Sequence, residues 1–256
     1  MKLTEENYYR AESDAAYLSY SQLKAFLRCE AAAMHAEPQP PTAAMLVGSY
    51  VDSWFDGTLD AFRKNHPQIF RRDGTLKAEF RIAEQIVQRI QRDEMFLRYM
   101  SGEKQVIMTG EIAGVPYKIK MDSYHPGKAI VDLKCMRDMN YRWSDDTACK
   151  VPFAEAFGYD IQGAIYQEIV RQNTGDTLPY FLAVATKENP PDIALAGIPA
   201  DVLEEKLRFV QEITPHIRDV WQGKIPPHRC GVCPYCRQTK TIREILDYRE
   251  LGRYHS

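Results

Sequence analysis

The seventeen residues from Lys118 to Lys134, KIKMDSYHPGKAIVDLK, constrain this chain more than any other stretch. Apolar and polar residues alternate on both sides of His125-Pro126-Gly127-Lys128, the pattern of two strands joined by a tight turn. Strand side chains alternate between faces, so Asp132 and Lys134 point one way while Leu133 points the other way, into a core. Antiparallel pairing across the turn brings Asp122 beside them. Two carboxylates and an ammonium then converge on one sheet face, as in a divalent-metal site with a cation next to it. Such a site suits phosphodiester hydrolysis.

A chain of 256 residues with 45% apolar content can bury a proper core, either as one large domain or as a core with helical additions. No apolar run reaches membrane-spanning length, and the polar start MKLTEENYYRAE lacks a signal-peptide pattern, so a cytoplasmic protein without membrane contact is expected. A net charge of −2 does not announce nucleic-acid binding. It is compatible with a local basic channel on an otherwise acidic surface.

Residues 1–16 read as polar and loosely packed, followed by a helix capped at Ser21 that carries Leu23, Phe26, Leu27 and Cys29 and ends at EPQPP. A second helix is expected from Ala43 to Phe55. Residues 58–76 are mixed and basic and are expected to order on a partner. Residues 77–100 form a long amphipathic pattern in which Ile82, Ile86 and Ile90 recur every fourth residue. Three strands follow over 106–124 and 129–135, with turns at Ala113-Gly114 and Pro126-Gly127. A long polar loop spans 136–152. A helix from Phe153 to Gln172, strands over 178–186 and 193–198, and a helix over 201–221 with a bend at Pro215 complete the order. A short charged helix is expected in the tail. A helix placed after a strand meander returns the chain to the sheet by crossing over it. The expected fold is therefore mixed α/β with flanking helices. Its parts are a helical section over 17–100, a core over 101–200, and a C-terminal helix with a cysteine cluster over 201–256.

An acid-x-lysine triplet is common, and Glu204-x-Lys206 repeats it in a helical pattern where the two side chains do not face each other. What distinguishes Asp132 is its place after Ile130-Val131 on a strand, with a second acid ten residues earlier across a turn. A strand-end ion pair is the plain alternative. Gln162 and Tyr166, four apart, share one helix face and can reach a phosphate or a base from above the sheet. Glu111 reads as a charge beside a turn, at the start of the second strand. Arg63, Lys64, Arg71, Arg72 and Lys77, interleaved with Phe62 and Phe70, fit either a strand channel or a solvated face.

Gly48-x-x-x-Asp52, Asp122, Asp132-x-Lys134 and Gln162-x-x-x-Tyr166 occur in the order of motifs of the PD-(D/E)xK nuclease superfamily. The chain resembles its RecB-like branch, and most of all phage recombination exonucleases of the exonuclease VIII type, over residues 17–237. The resemblance implies a restriction-endonuclease-like core and a Mg²⁺- or Mn²⁺-dependent DNA exonuclease that resects duplex ends in phage recombination. It also implies a single-strand annealing protein as partner and a ring-shaped homo-oligomer. Asp122, Asp132, Lys134, Gln162 and Tyr166 would be catalytic, and Asp52, Asp122, Asp132 and the Leu133 carbonyl would hold the metal. Two positions depart from the family: Asp52 stands where histidine is usual, and Met121 stands where proline precedes the first acid. The first keeps open a DNA-binding module without activity. An endonuclease or helicase-associated nuclease of the same fold is the other alternative.

Of six cysteines, Cys230-x-x-Cys233-x-x-Cys236 is a strong metal signal that needs a fourth ligand. His228 and Cys29 are candidates. The resemblance implies Cys29, because a subset of RecB-like nucleases joins one cysteine of an N-terminal helix to three at the C-terminus around an iron–sulfur cluster. A [4Fe–4S] cluster on Cys29, Cys230, Cys233 and Cys236 is the expectation, with structural Zn²⁺ as the alternative. Closing a loop of about two hundred residues would remove unfolded-state entropy. Cys135 and Cys149 read as ordinary thiols.

Overall fold

The computed structural model describes residues 2–37, 39–144, 147–242, 245 and 247–251. Helices α1 (Ala11–Ala16), α2 (Tyr20–Arg28), α3 (Glu30–Met34), α4 (Ala43–Phe55), α5 (Leu59–Asn65), α6 (Arg81–Ile90) and α7 (Glu94–Tyr99) come first. Strands β1 (Val106–Ile112), β2 (Val115–Met121), β3 (Ser123–His125) and β4 (Ala129–Met136) follow, then β5 (Arg142–Ser144) and β6 (Cys149–Val151). Helices α8 (Phe153–Ala156) and α9 (Tyr159–Thr174) lead to β7 (Tyr180–Thr186) and β8 (Ile193–Gly197), and α10 (Ala200–Trp221) and α11 (Pro234–Gln238) close the order.

The central sheet runs β3-β4-β7-β8, with β4 and β7 parallel and both outer pairs antiparallel. Parallel neighbours need a crossover, and α9 supplies it. The period-two alternation of β4 sorts its residues between two apolar layers. Val131 and Leu133 join Val47, Val51, Ile86 and Ile90 of α4 and α6 on one face. Ile130 and Met136 join Ile165, Ile169, Leu203 and Val210 of α9 and α10 on the other. Asp132 and Lys134 therefore stand on the α9 face, between apolar neighbours on their own strand. Ile86 and Ile90 are fully buried, and each such side chain contributes about 1.5–3 kcal/mol.

β1 and β2 form a hairpin whose turn, Ala113-Gly114, has both residues at positive φ, as a tight two-residue turn requires. The chain then passes through Asp122 into β3. Ser123 pairs with Val131, so continuing the register by one residue sets Asp122 opposite Asp132.

Several sequence expectations are corrected. The start of the chain is packed rather than loose: Tyr8 and Ser13 are buried, and the Lys118 ammonium donates to the Tyr8 carbonyl, Ser13 Oγ and Asp14 Oδ1 at 2.6, 2.8 and 2.6 Å. Ser19, not Ser21, caps α2, in a reciprocal capping box with Gln22. Residues 58–76 are ordered without a partner, because Phe62, Ile69 and Leu76 are buried in the α4–α6 layer. The 77–100 pattern breaks into two helices where Asp93 caps α7 through the amide of Phe96. Gly158, at φ 71, separates α8 from α9. The loop over 136–152 carries the β5–β6 hairpin. The short charged helix expected in the tail falls partly outside the described residues, and α11 lies on the cysteine cluster itself. Among the described residues, no helix is long and apolar enough to cross a membrane.

Candidate active site and cysteine centre

Asp52, Asp122, Asp132, Leu133, Lys134, Gln162 and Tyr166 all line one cleft of about 380 Å³. Four elements converge there. β4 provides Asp132-Leu133-Lys134, the β2–β3 junction provides Asp122, α4 brings Asp52 one turn after Gly48, and α9 lays Gln162 and Tyr166 over the sheet. Gly163 sets how close α9 comes: a Cβ there would lie 2.7 Å from the Tyr180 ring and 3.0 Å from Leu203.

Asp132 is 3% exposed. Its Oδ1 accepts from Gln162 Nε2 at 2.7 Å, and its Oδ2 is ion-paired with Lys134 Nζ. Oδ2 is buried, with the Lys134 ammonium as its charge partner. Asp122 Oδ2 accepts from the Leu133 amide at 2.8 Å, which fixes the first acid against the strand of the second. Tyr166 donates to the Lys120 carbonyl at 3.1 Å and so pins α9 to β2.

The acids outnumber their cations. Burial, followed by repulsion from Asp132 and Asp52, pushes the Asp122 carboxyl well above its ordinary range. Burial, followed by Asp56 and Asp132, pushes Asp52 up to about 7 despite Lys134 and Lys120. Burial alone would lower the Lys134 ammonium, but Asp132 and Asp122 outweigh it and hold the pKa above the ordinary value. Three crowded, buried carboxylates that raise one another's pKa fit a hard divalent cation, which takes oxygen ligands. Aspartate at position 52 adds to that oxygen set.

The cleft has a wall that the motifs did not reveal. Tyr8, Tyr9, Asp14, Lys118 and Lys120 line it as well. Lys120 Nζ lies 4.7 Å from the Tyr9 ring centre and 5.7 Å from that of Tyr8. The available signal was KIK itself, where two lysines alternate with a core isoleucine. Glu111 sits near the end of β1, and its backbone pairs with the Gln172 side chain, away from the cleft. None of Arg63, Lys64, Arg71, Arg72 and Lys77 lines the cleft, and Arg63 stacks on Phe70.

The second constellation joins the chain's two ends. Cys29 stands where α2 stops and α3 begins, in extended conformation, and its thiol meets those of Cys230, Cys233 and Cys236. All four sulfurs lie within 4.8 Å of one another, with Cys29 and Cys236 at 3.5 Å and Cys230 and Cys236 at 3.9 Å. The amides of Cys233 and Cys236 donate to the sulfurs of Cys230 and Cys233 at 3.3 and 3.4 Å, bonds that favour thiolates. The group could hold a metal ion. His228 is not part of it: its amide donates to Glu30 and its carbonyl accepts from Ala31, which braces the start of α3. Cys135 and Cys149 lie outside the group.

A protein from Eubacterium rectale, provisionally designated an exonuclease, has a crystal structure that matches with a TM-score of 0.91 and 46% identity over 98% of both chains. A second solved structure, SSO0001, aligns over 84% of this chain and 96% of its own at 12% identity and a TM-score of 0.31, a likeness too weak to bear on fold or function. No curated protein matches. Residues 19–239 match the model of the PDDEXK-like domain of unknown function (DUF3799), a span that takes in the acids, the α9 pair and all four clustered cysteines. The chain belongs to that PDDEXK-like family and carries its nuclease fold.

Proposed function

We propose that this chain is a Mg²⁺- or Mn²⁺-dependent deoxyribonuclease that cleaves phosphodiester bonds in the cleft between β4 and α9, working from duplex ends. One observation carries the reading: three carboxylates and Lys134 converge in a single cleft, where Asp132 is buried and held between Gln162 and Lys134. Asp52, Asp122, Asp132 and the Leu133 carbonyl would hold the metal. When bound, the ion supplies Lewis acidity toward a phosphoryl oxygen and a more acidic water. The Lys134 ammonium, set over the Tyr159 ring at 4.7 Å, offsets charge gathering on the phosphate. Gln162 holds the Asp132 carboxylate in one orientation, and Tyr166 keeps α9 at its distance from β2.

The resemblance to exonuclease VIII-type enzymes supports end resection in phage-type recombination, with a single-strand annealing partner, a ring-shaped oligomer and a cytoplasmic setting. We read residues 1–256 as one nuclease domain closed by the cysteine centre. For that centre, sulfur spacing favours zinc. A tetrahedral Zn²⁺ with bonds of about 2.3 Å sets its sulfurs roughly 3.8 Å apart, whereas a [4Fe–4S] cube puts each cysteine on a different iron and needs a wider cage. All four sulfurs lie within 4.8 Å of one another, which favours the single ion over the [4Fe–4S] cluster that the resemblance implies.

Incubation of the protein with linear and with covalently closed circular duplex, in Mg²⁺ or Mn²⁺, tests the reading. Degradation of the linear form alone is expected. Cutting of the circle favours an endonuclease instead, and binding without cleavage favours the inactive DNA-binding module.

A further inference from the structure

The acidic cleft continues past Gln162 into a recess of about 600 Å³ along α2, which shares Lys134, Gln162 and Tyr166 with the cleft. The two halves differ in charge. Four aspartates line the cleft, whereas the charged groups described in the recess are Lys24, Arg28 and Lys134, with no carboxylate.

Tyr20, Lys24 and Arg28 recur every fourth residue and so form one stripe of α2. The stripe is held firmly. Tyr20 Oη and Lys24 Nζ both donate to the Phe157 carbonyl, at 2.9 and 2.6 Å, which ties α2 to the α8–α9 junction. Lys24 Nζ lies 5.7, 5.9 and 5.7 Å from the ring centres of Tyr20, Phe157 and Tyr159. Lys134 Nζ sits over the same Tyr159 ring, so the two ammonium groups share one aromatic plate. Among the described residues, neither Lys24 nor Arg28 forms an ion pair. Burial, followed by repulsion from Arg28 and Lys134, pulls the Lys24 ammonium down to about 8. A half-buried cation surrounded by cations and ring faces gains when an anion enters beside it.

We propose that this recess binds a strand phosphate next to the one being cleaved, with Lys24 and Arg28 gripping its oxygens and the faces of Tyr20 and Tyr159 receiving the attached sugar. The proposal rests on the nuclease reading and names the residues that set the strand's register on Asp132 and Lys134. The same chemistry serves an internal phosphodiester or a terminal phosphate, and the test distinguishes them.

Binding of a short fluorescent duplex to the full chain is measured against salt without added divalent metal, for wild type, Lys24→Met/Arg28→Ala, and the exposed single change Arg28→Ala. The double variant is expected to bind about tenfold more weakly and to lose about 1 from the slope of log affinity against log salt, the signature of one lost phosphate contact. The single variant falls between. A neutral methylphosphonate at the flanking internal position weakens wild type and leaves the double variant unaffected. If removal of a terminal phosphate has that effect instead, the recess reads strand ends. Equal affinity and slope in wild type and a double variant of unchanged melting temperature overturn the proposal. A wild type that binds with the expected slope yet cuts nothing in Mn²⁺ leaves the recess standing and overturns the nuclease reading.

Discussion

Gln162 Nε2 donates to Asp132 Oδ1 at 2.7 Å, joining a helix residue to a strand residue thirty positions earlier inside the core. Gln162 is the donor that orients the buried acid. Gln162→Ala is expected to lower cleavage about 10–100-fold, as loss of a group supporting a metal ligand does, and to cost about 1–3 kcal/mol of stability by stranding a buried acceptor. Single-turnover cleavage and urea unfolding of the same samples separate the two effects.

Tyr166→Phe removes only the hydroxyl that reaches the Lys120 carbonyl. A loss of about 1 kcal/mol is expected, lowering the melting temperature by roughly 2–4 °C. Cleavage should fall much less than in Gln162→Ala, because the Tyr166 hydroxyl bonds backbone rather than the acids. Calorimetry with an activity assay on each variant tests the ranking.

Crowding of the carboxylates has a pH signature in metal-free protein. Asp52 titrates near 7 when folded and near the ordinary Asp value of about 3.9 when unfolded, so between those values the folded state binds more protons. Stability therefore falls as pH rises from about 4 to 7 and levels off above, by a few kcal/mol at most. Asp122, also raised, acts in the same direction. Chemical denaturation at a series of pH values should show this slope in wild type and a smaller one in Asp52→Asn. Saturating Mn²⁺ should flatten it.

At the cysteine centre, protein purified without oxygen should be colourless and carry one zinc per chain. Brown colour with iron and acid-labile sulfide would reverse that assignment. Cys29→Ala removes one of the four proposed ligands and opens a closure of about two hundred residues, which a chain-entropy estimate values on the order of 5 kcal/mol. A large drop in melting temperature is expected, matched in wild type by a strong zinc chelator.

Much of the site was legible because strand alternation and pairing are short-range rules. IVDLK placed Asp132 and Lys134 on one face, and the turn at Pro126-Gly127 set the register that brings Asp122 opposite. Cys29 came from resemblance, since no spacing rule links it to residues two hundred positions away. Residues 2–16 look loose in sequence because their order depends on one buried lysine, Lys118, whose acceptors are the Tyr8 carbonyl, the Ser13 hydroxyl and Asp14. Order over 58–76 rests on Phe62, Ile69 and Leu76, too irregularly spaced to give a helical or strand period. The basic recess was invisible as well, because Lys24 and Arg28 look like ordinary helix-surface charges until the Phe157 carbonyl and the Tyr159 ring are in place.

The most direct test of the account is cleavage of end-labelled linear duplex by wild type and Asp132→Asn, each with and without Mn²⁺, beside a binding measurement on the same samples. The account expects metal-dependent shortening of the labelled strand by wild type, and a loss of about a thousandfold or more in Asp132→Asn with DNA binding retained. Equal cleavage by the two proteins, or no cleavage by wild type in any divalent metal, would contradict it.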